Sequence, residues 1–358
     1  MATITDVQTG LYGIPNEESL DDATQSFDEL ELVTVELTTS DGVTGVGFTY
    51  TIGEGGASVE SFLAETLAPE LDRADVAPRR LRSDLRGATT FVGREGVSEL
   101  ALAAVDIAAW DALGKGLGAP LYELLGGTRE AVPGYETNGG WIQYDRETLV
   151  ENAREAADAG FHGMKMKVGR GHAEDARRIA AVREALPESM DLMVDANCSF
   201  SVAEARRFCE HLDVPIAWLE EPLPKHDHAA HADLRRLVEV PLASGENAYD
   251  ATEFKQALAM DALDVLQPDV CRVGGITPWM AVADMASAWS VDVSPHYVEP
   301  IHVHLAAAAD NVPYIEHHST VLDTVLADPV LPENGAFRPP DRPGHGLAFD
   351  GLDAYAKL

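Results

Sequence analysis

Lys165 and Lys167 stand two positions apart in GMKMKVG, residues 163–169, a stretch that otherwise has the apolar texture of a buried strand. Side chains alternate between the faces of a strand, so positions i and i+2 point the same way. Two ammonium groups on one face repel, and each disfavours the other's protonation. A solvated sheet edge tolerates that conflict. An active site exploits it, because a lysine with a lowered pKa is a usable base. Further along the chain, short apolar runs end in residues of the same kind. They are Asp195 and Asn197 in DLMVDAN, Glu220 and Glu221 in AWLEEP, Glu246 and Asn247 in PLASGEN, Asp269 in DVLQPDV, His296 in VDVSPH and Glu316 in YIEH.

Asp195, Glu220 and Glu246 offer hard carboxylate oxygens from successive runs. Such a set suits Mg²⁺, which prefers octahedral oxygen coordination completed by water and substrate. No Cys/His cluster competes for zinc; Cys198, Cys209 and Cys271 are too few and too irregularly spaced for a disulfide scaffold and read as reduced. Asp269 and His296 end neighbouring runs, so the carboxylate can hold the imidazole in one tautomer and raise its pKa, giving a second acid/base. His302, His304, His317 and His318 read as helix, loop or surface residues and not as ligands.

These residues need a frame. From about residue 132 short apolar strands alternate with amphipathic helices, such as DRETLVENAREAADAG with Asp145 as N-cap and Gly160 as stop. The polar strand ends recur about every 20 to 28 residues, close to one βα unit. Eight such units favour a parallel barrel over a doubly wound sheet, which the count alone leaves open. Barrel enzymes place their chemistry at the C-terminal ends of the strands, so the two lysines are not on an edge. Residues 1 to about 125 read as α+β: ELVTVELTTSDG and VTGVGFTYT flank the turn Asp41-Gly42, and VSELALAAVDIAAWDALGKGLG has the spacing of a buried helix stopped by Gly116 or Gly118. The Pro-rich tail is expected to pack back on this first part. The division expected is thus 1–125, 126–320 and 321–358.

Composition narrows the class. With 358 residues, 46% of them hydrophobic, the chain can bury a large core. It contains no apolar run of membrane-spanning length, and MATITDVQTG lacks the features of a signal peptide, so a cytoplasmic protein is expected. Lys and Arg number 26 against 60 Asp and Glu, a formal net charge of −34, which repels a polyanion and argues against nucleic acid as a partner. The acids are dispersed through helical patterns. Molar salt screens such charges to within about 3 Å, which points to a halophilic, salt-rich cell interior.

The fragments AAVDIAAWDALGKGLGAPLYELLGG, KMK, VDAN, WLEEP, GEN, PDVCRVGGIT and SPH occur in this order. Together they resemble the mandelate racemase subgroup of the enolase superfamily over nearly the whole length. The resemblance implies an N-terminal α+β capping domain over a modified TIM barrel, (β/α)7β. It implies Lys167 as the base on one face of a carboxylic acid substrate, with Lys165 lowering its pKa and touching the substrate carboxylate. Asp195, Glu220 and Glu246 become ligands of a Mg²⁺ cofactor, and Asp269 with His296 forms the dyad on the opposite face. Glu316 bonds the substrate carboxylate; Asn197 and Thr137 contact substrate; Glu221 lies behind the ligands. A Lys or His base working with Mg²⁺ is the general pattern of that superfamily. Homo-oligomers are common in it, so one is implied here.

Removing a proton α to a carboxylate yields an enediolate. Return of a proton from the other face gives a racemase or epimerase, whereas expulsion of a β-hydroxyl with His296 as acid gives a dehydratase. The stretch PNEESLDDATQSF reads as a capping loop over the far end of the substrate. Asn16, Glu17, Ser19, Asp21, Asp22, Thr24 and Gln25 suit hydroxyls better than an aryl group, and Arg94 can assist a second carboxylate. The expectation is dehydration of an aldonate or aldarate. A non-catalytic binding protein on the same fold is disfavoured by the complete ionisable set. A muconate-lactonising or succinylbenzoate-type activity is disfavoured because those relatives carry a lysine where this chain has Asp269.

Overall fold

The computed structural model of the chain describes residues 2–318 and 321–357, except for the side chains of Glu17 and Glu18. The first element is an antiparallel sheet in the order β1 (Ile4–Asp21), β2 (Ser26–Thr39), β3 (Thr44–Ile52), with Gly42 at φ 83° in the second turn. Both faces of β2 are covered: Leu30 and Leu32 join the barrel-side core, whereas Val33, Val35 and Leu37 pack with the helices of the cap. This explains why the strand reads as a nearly continuous apolar run instead of a clean alternation. The helix Val97–Leu117 lies on β3 and ends at Gly118 in a left-handed conformation. It comes so close that a Cβ on Gly47 would sit 2.0 Å from the Ala104 carbonyl oxygen, hence the small residues on both partners.

The stretch read as a capping loop is a β-hairpin. β1 continues through Asp21 and β2 begins at Ser26, leaving residues 22–25 as the turn. Asp22 Oδ1 holds that turn by accepting from Thr24 N at 2.6 Å and Gln25 N at 2.9 Å, a local bond that extended propensity alone does not reveal.

From Val132 the chain alternates strictly. β4 (Val132–Glu136), β5 (Gly163–Lys167), β6 (Asp191–Asp195), β7 (Leu219–Glu220), β8 (Leu242–Ser244), β9 (Val265–Leu266), β10 (Asp292–Val293) and β11 (Ile315–His317) pair in parallel in the spatial order β10-β9-β8-β7-β6-β5-β4-β11. A helix lies between each successive pair, from Arg146–Asp158 to Glu299–Ala308, which is the (β/α)7β arrangement under an antiparallel capping sheet. A short strand, β12 (Ala336–Phe337), adds antiparallel to β4. No helix among the described residues is long and apolar enough to cross a membrane.

The cap is fastened by polar groups of its long helix. Asp106 Oδ2 accepts from Thr277 N at 2.8 Å, Trp110 Nε1 donates to Thr277 Oγ1 at 2.9 Å, and Arg82 bonds both Glu99 and the Gly274 carbonyl. Gly275 at φ 110° has no room for a side chain there, since a Cβ would meet Asp106 at 2.5 Å. The tail reaches the same region: Lys357 bonds Glu29 and Glu31 of β2, and Ala356 bridges to Tyr12 of β1.

Candidate active site

Register builds the centre. β5 pairs Lys167 with Asp195 on β6, and β6 pairs Asp195 with Glu220 on β7, so the three lie in one row across adjacent strands. Lys165 and Lys167 point the same way from β5 and are both buried. Lys165 Nζ lies 2.6 Å from Glu220 Oε1 and 2.6 Å from Glu316 Oε1; Lys167 Nζ lies 2.6 Å from Asp195 Oδ2 and over the ring of Trp141 at 5.4 Å. Glu220 Oε2 also accepts from Gln267 Nε2 at 2.7 Å and Trp218 Nε1 at 3.0 Å. Carboxylate oxygens of Asp195, Glu220 and Glu246 all come within 4.8 Å of one another.

This cluster fits a hard divalent cation. Burial, followed by the charges of Asp195, Glu316 and Glu246 against the opposing pull of Lys165, pushes the Glu220 carboxyl upward, the response of acids crowded together without enough positive charge. Glu246 Oε2 and Asn197 Oδ1 are buried with no hydrogen-bond partner. Every donor is oxygen, and no other cluster of three such groups forms among the described residues.

Opposite this row, His296 Nδ1 meets Asp269 Oδ2 at 2.9 Å. The same Oδ2 accepts from Tyr50 Oη at 2.5 Å, a bond that comes from the capping sheet, and Asp269 Oδ1 accepts from Cys271 N at 2.7 Å. Burial pushes the His296 imidazole down. Glu246, the bond to Asp269 and the Glu316 charge outweigh it and carry His296 up to about 9. These neighbours favour the protonated ring, the form that can give a proton away.

A cavity of about 1050 Å³ opens between cap and barrel, lined by Lys167, Asn197, Glu221, Glu246 and His296 from the barrel and by Asn16, Asp22, Thr24 and Gln25 from the lid hairpin. Lys165, Asp195, Glu220, Asp269 and Glu316 lie behind that lining, fully buried. Thr137 is spent on Glu316, donating to Oε1 at 2.9 Å, while Tyr297 N donates to Glu316 Oε2 at 2.8 Å. Ser19 and Asp21 do not line the cavity, and the side chain of Glu17 lies outside the described residues. The lid is mixed in character, since Leu20, Phe27 and Leu30 line the cavity beside the polar residues.

Two expectations change. Arg94 is exposed and absent from the cavity wall; the cations that line it besides Lys167 are Lys225 and Arg272. Lys165 is not the only group that sets the Lys167 pKa. Burial and the charge of Lys165 do press the Lys167 ammonium down, but Asp195 in direct contact, with Glu246 and Glu220 beyond, outweighs them and raises it. Sequence spacing reveals the repulsion between the lysines but not the stronger attraction from the facing strands. Lys165 is likewise raised, with Glu220 and Glu316 overcoming its burial.

Several residues of the site escaped the sequence reading. Tyr50 lies on the cap and Trp141 lines the cavity from a loop, while His318, read as a helix, loop or surface residue, lines it too. Arg272 had a visible signal: a cation three residues past a strand-end acid, within PDVCRVGGIT. His302 is buried in the helix Glu299–Ala308, where its Nδ1 donates to the Tyr297 carbonyl at 2.5 Å and its Nε2 accepts from Val270 N at 3.1 Å. It thereby ties the backbone beside His296 to the backbone beside Asp269.

Residues 148–354 match the family described as enolase C-terminal domain-like, and residues 12–126 match the N-terminal domain of mandelate racemase / muconate lactonizing enzyme. The chain is 36% identical over 352 residues to the 3,6-anhydro-alpha-L-galactonate cycloisomerase of Streptomyces coelicolor, covering 96% of each protein. It is 35% identical over 326 residues to the L-talarate/galactarate dehydratase of Salmonella typhimurium, covering 90% of this chain and 80% of that protein. Its structure superposes with a TM-score of 0.95 and 33% identity on the crystal structure of L-talarate dehydratase from Polaromonas sp. JS666 complexed with Mg and L-glucarate, covering 100% of this chain and 98% of the other. With both domains matched and the fold shared end to end, the chain is an enzyme of the enolase superfamily and belongs to its mandelate racemase / muconate lactonizing enzyme group.

Proposed function

We propose that this protein is a Mg²⁺-dependent sugar-acid dehydratase that removes the proton α to a carboxylate and expels the β-hydroxyl, yielding a 2-keto-3-deoxy acid. The observation that carries this reading is the placement of Lys167 on β5 and of His296, held by Asp269, beyond β10, both lining one cavity with the carboxylate cluster between them. Asp195, Glu220 and Glu246 would hold the metal, which when bound supplies positive charge against the enediolate oxygens. Lys167 takes the α-proton as the neutral amine, a form reached when Asp195 is engaged by the cation and no longer stabilises the ammonium, whose proton passes to solvent. His296, held by Asp269, gives its proton to the departing hydroxyl, which leaves as water. The enol so formed then tautomerises to the keto acid. Lys165 and Glu316 keep charge balance behind the reacting carbon.

The Streptomyces coelicolor relative supports a second reading, in which the departing oxygen belongs to a ring ether and the product is an isomer. The same residues would serve, with His296 protonating the ring oxygen. Racemisation draws less support, because the polar lid residues suit a polyhydroxylated chain.

Proton NMR in D₂O with Mg²⁺ and a panel of aldonic, aldaric, anhydro-sugar and aromatic 2-hydroxy acids tests the reading. Loss of the α-proton signal together with a growing 2-keto-3-deoxy acid is the expected result. Deuterium at the α-carbon with every hydroxyl retained would replace dehydration by racemisation.

A further inference from the structure

Lys225, after β7, and Arg272, after β9, both line the cavity and are both partly buried. Lys225 Nζ and Arg272 Nη2 donate to one acceptor, Asn247 Oδ1, at 3.1 and 3.2 Å. The Asn247 amide is oriented by its other contacts, for Nδ2 donates to Glu221 Oε1 at 2.9 Å and Oε2 at 3.0 Å. Its oxygen thus faces the cations and its nitrogen the acids. The Arg272 guanidinium lies over the Tyr249 ring, 4.7 Å from the centroid, and Nη2 donates to Tyr249 Oη at 2.9 Å; its Nε is buried without a partner.

Neither cation has a carboxylate within the 4.0 Å of an ion pair among the described residues, whereas the interior cations Lys165, Lys167, Arg82 and Arg86 each have one. In a chain with 60 acidic and 26 basic residues, two cations left unpaired in a cavity mark a place where the missing anion comes from outside. A hydroxymethyl group would leave both cations without an ion-pair partner in the cavity. A carboxylate can accept from both, since they already converge on a single oxygen, and the guanidinium offers planar donors for it.

We infer that Lys225 and Arg272, oriented by Asn247 and Tyr249, form a subsite for the second carboxylate of a dicarboxylic sugar acid, which makes the substrate an aldarate and not an aldonate. The inference rests on the α-proton chemistry proposed above. It gives these two residues the part expected of Arg94.

The test compares kcat/KM for matched hexose acids that differ only in whether C6 is a carboxylate or a hydroxymethyl, such as galactarate against galactonate and glucarate against gluconate, with Mg²⁺ present. Wild type, Lys225→Met, Arg272→Met and Arg272→Lys are measured. The diacid is expected to be preferred, and the diacid-to-monoacid ratio is expected to fall about 10- to 100-fold in each Met variant, mainly through KM. Arg272→Lys, which keeps the charge without the fork, should recover part of the ratio. A wild type that turns over the monoacid as well as the diacid, or a ratio that neither Met variant moves, overturns the inference. Absence of α-proton exchange on every acid removes the proposed reaction and this subsite together; exchange confined to monoacids removes the subsite alone.

Discussion

His296 carries the largest functional demand of any single residue in this site. Its pKa of about 9 reflects negative neighbours that outweigh burial, so the acid form is present below that value and lost above it. A cation over Glu246 removes part of that stabilisation. Dehydration is therefore expected to decline on an alkaline limb at or below about pH 9. In His296→Asn, dehydration should fall by roughly 10²- to 10⁴-fold while Lys167 still exchanges the α-proton for deuterium. Parallel loss of both activities would show that His296 does not act as the acid alone. Strand-end residues such as Asp195, Glu220 and His296 were legible because an apolar run followed by a charge is a local pattern. Tyr50 and Lys225 were not legible because each acquires its meaning from a partner on another strand or another domain, and the local signal of Arg272 does not reveal its convergence with Lys225 on Asn247.

At the scale of elements, the βα rhythm and the long cap helix were legible from periodicity and from glycine stops at Gly118 and Gly160. The lid was not, because a turn held by Asp22 looks, residue by residue, like an unstructured polar stretch. The ends of the strands also carry strain that sequence does not announce. Asn197 and Glu221 adopt φ 40°, and Tyr297 and Val298 adopt φ 52° and 44°, a left-handed conformation costing about 1–3 kcal/mol for each such residue. His302 helps to hold that turn through the Tyr297 carbonyl. It and His304 are fully buried, and burial lowers them from 6.5 to about 4 and about 3. Below pH 6.5 the unfolded chain takes up protons that the native state refuses, so their contribution is complete above 6.5 and is lost as pH falls toward 4. Each removes about 1.4 kcal/mol of stability per pH unit in that window. Denaturant titrations at pH 7 and 5.5 should register this slope, and His304→Gln should flatten it; an unchanged slope would exclude His304 as a contributor.

Across the whole molecule, a net charge of −34 predicts a stability that depends on salt. Raising KCl from about 0.1 M to about 1 M shortens the screening length from about 10 Å to about 3 Å and should raise the unfolding midpoint. A midpoint independent of KCl would refute the salt-rich interior inferred from composition. The Tyr50–Asp269 bond has a different reach, because its partners are separated by 219 residues of chain. Most barrel strands pair with the next strand in sequence, whereas this contact forms only where the capping sheet meets the barrel, so it is expected late in folding. Catalytic competence then becomes a clock for the last stage of folding. In a refolding experiment helical circular dichroism should recover first and turnover later, with Tyr50→Phe shrinking the final activity and leaving the earlier phase untouched.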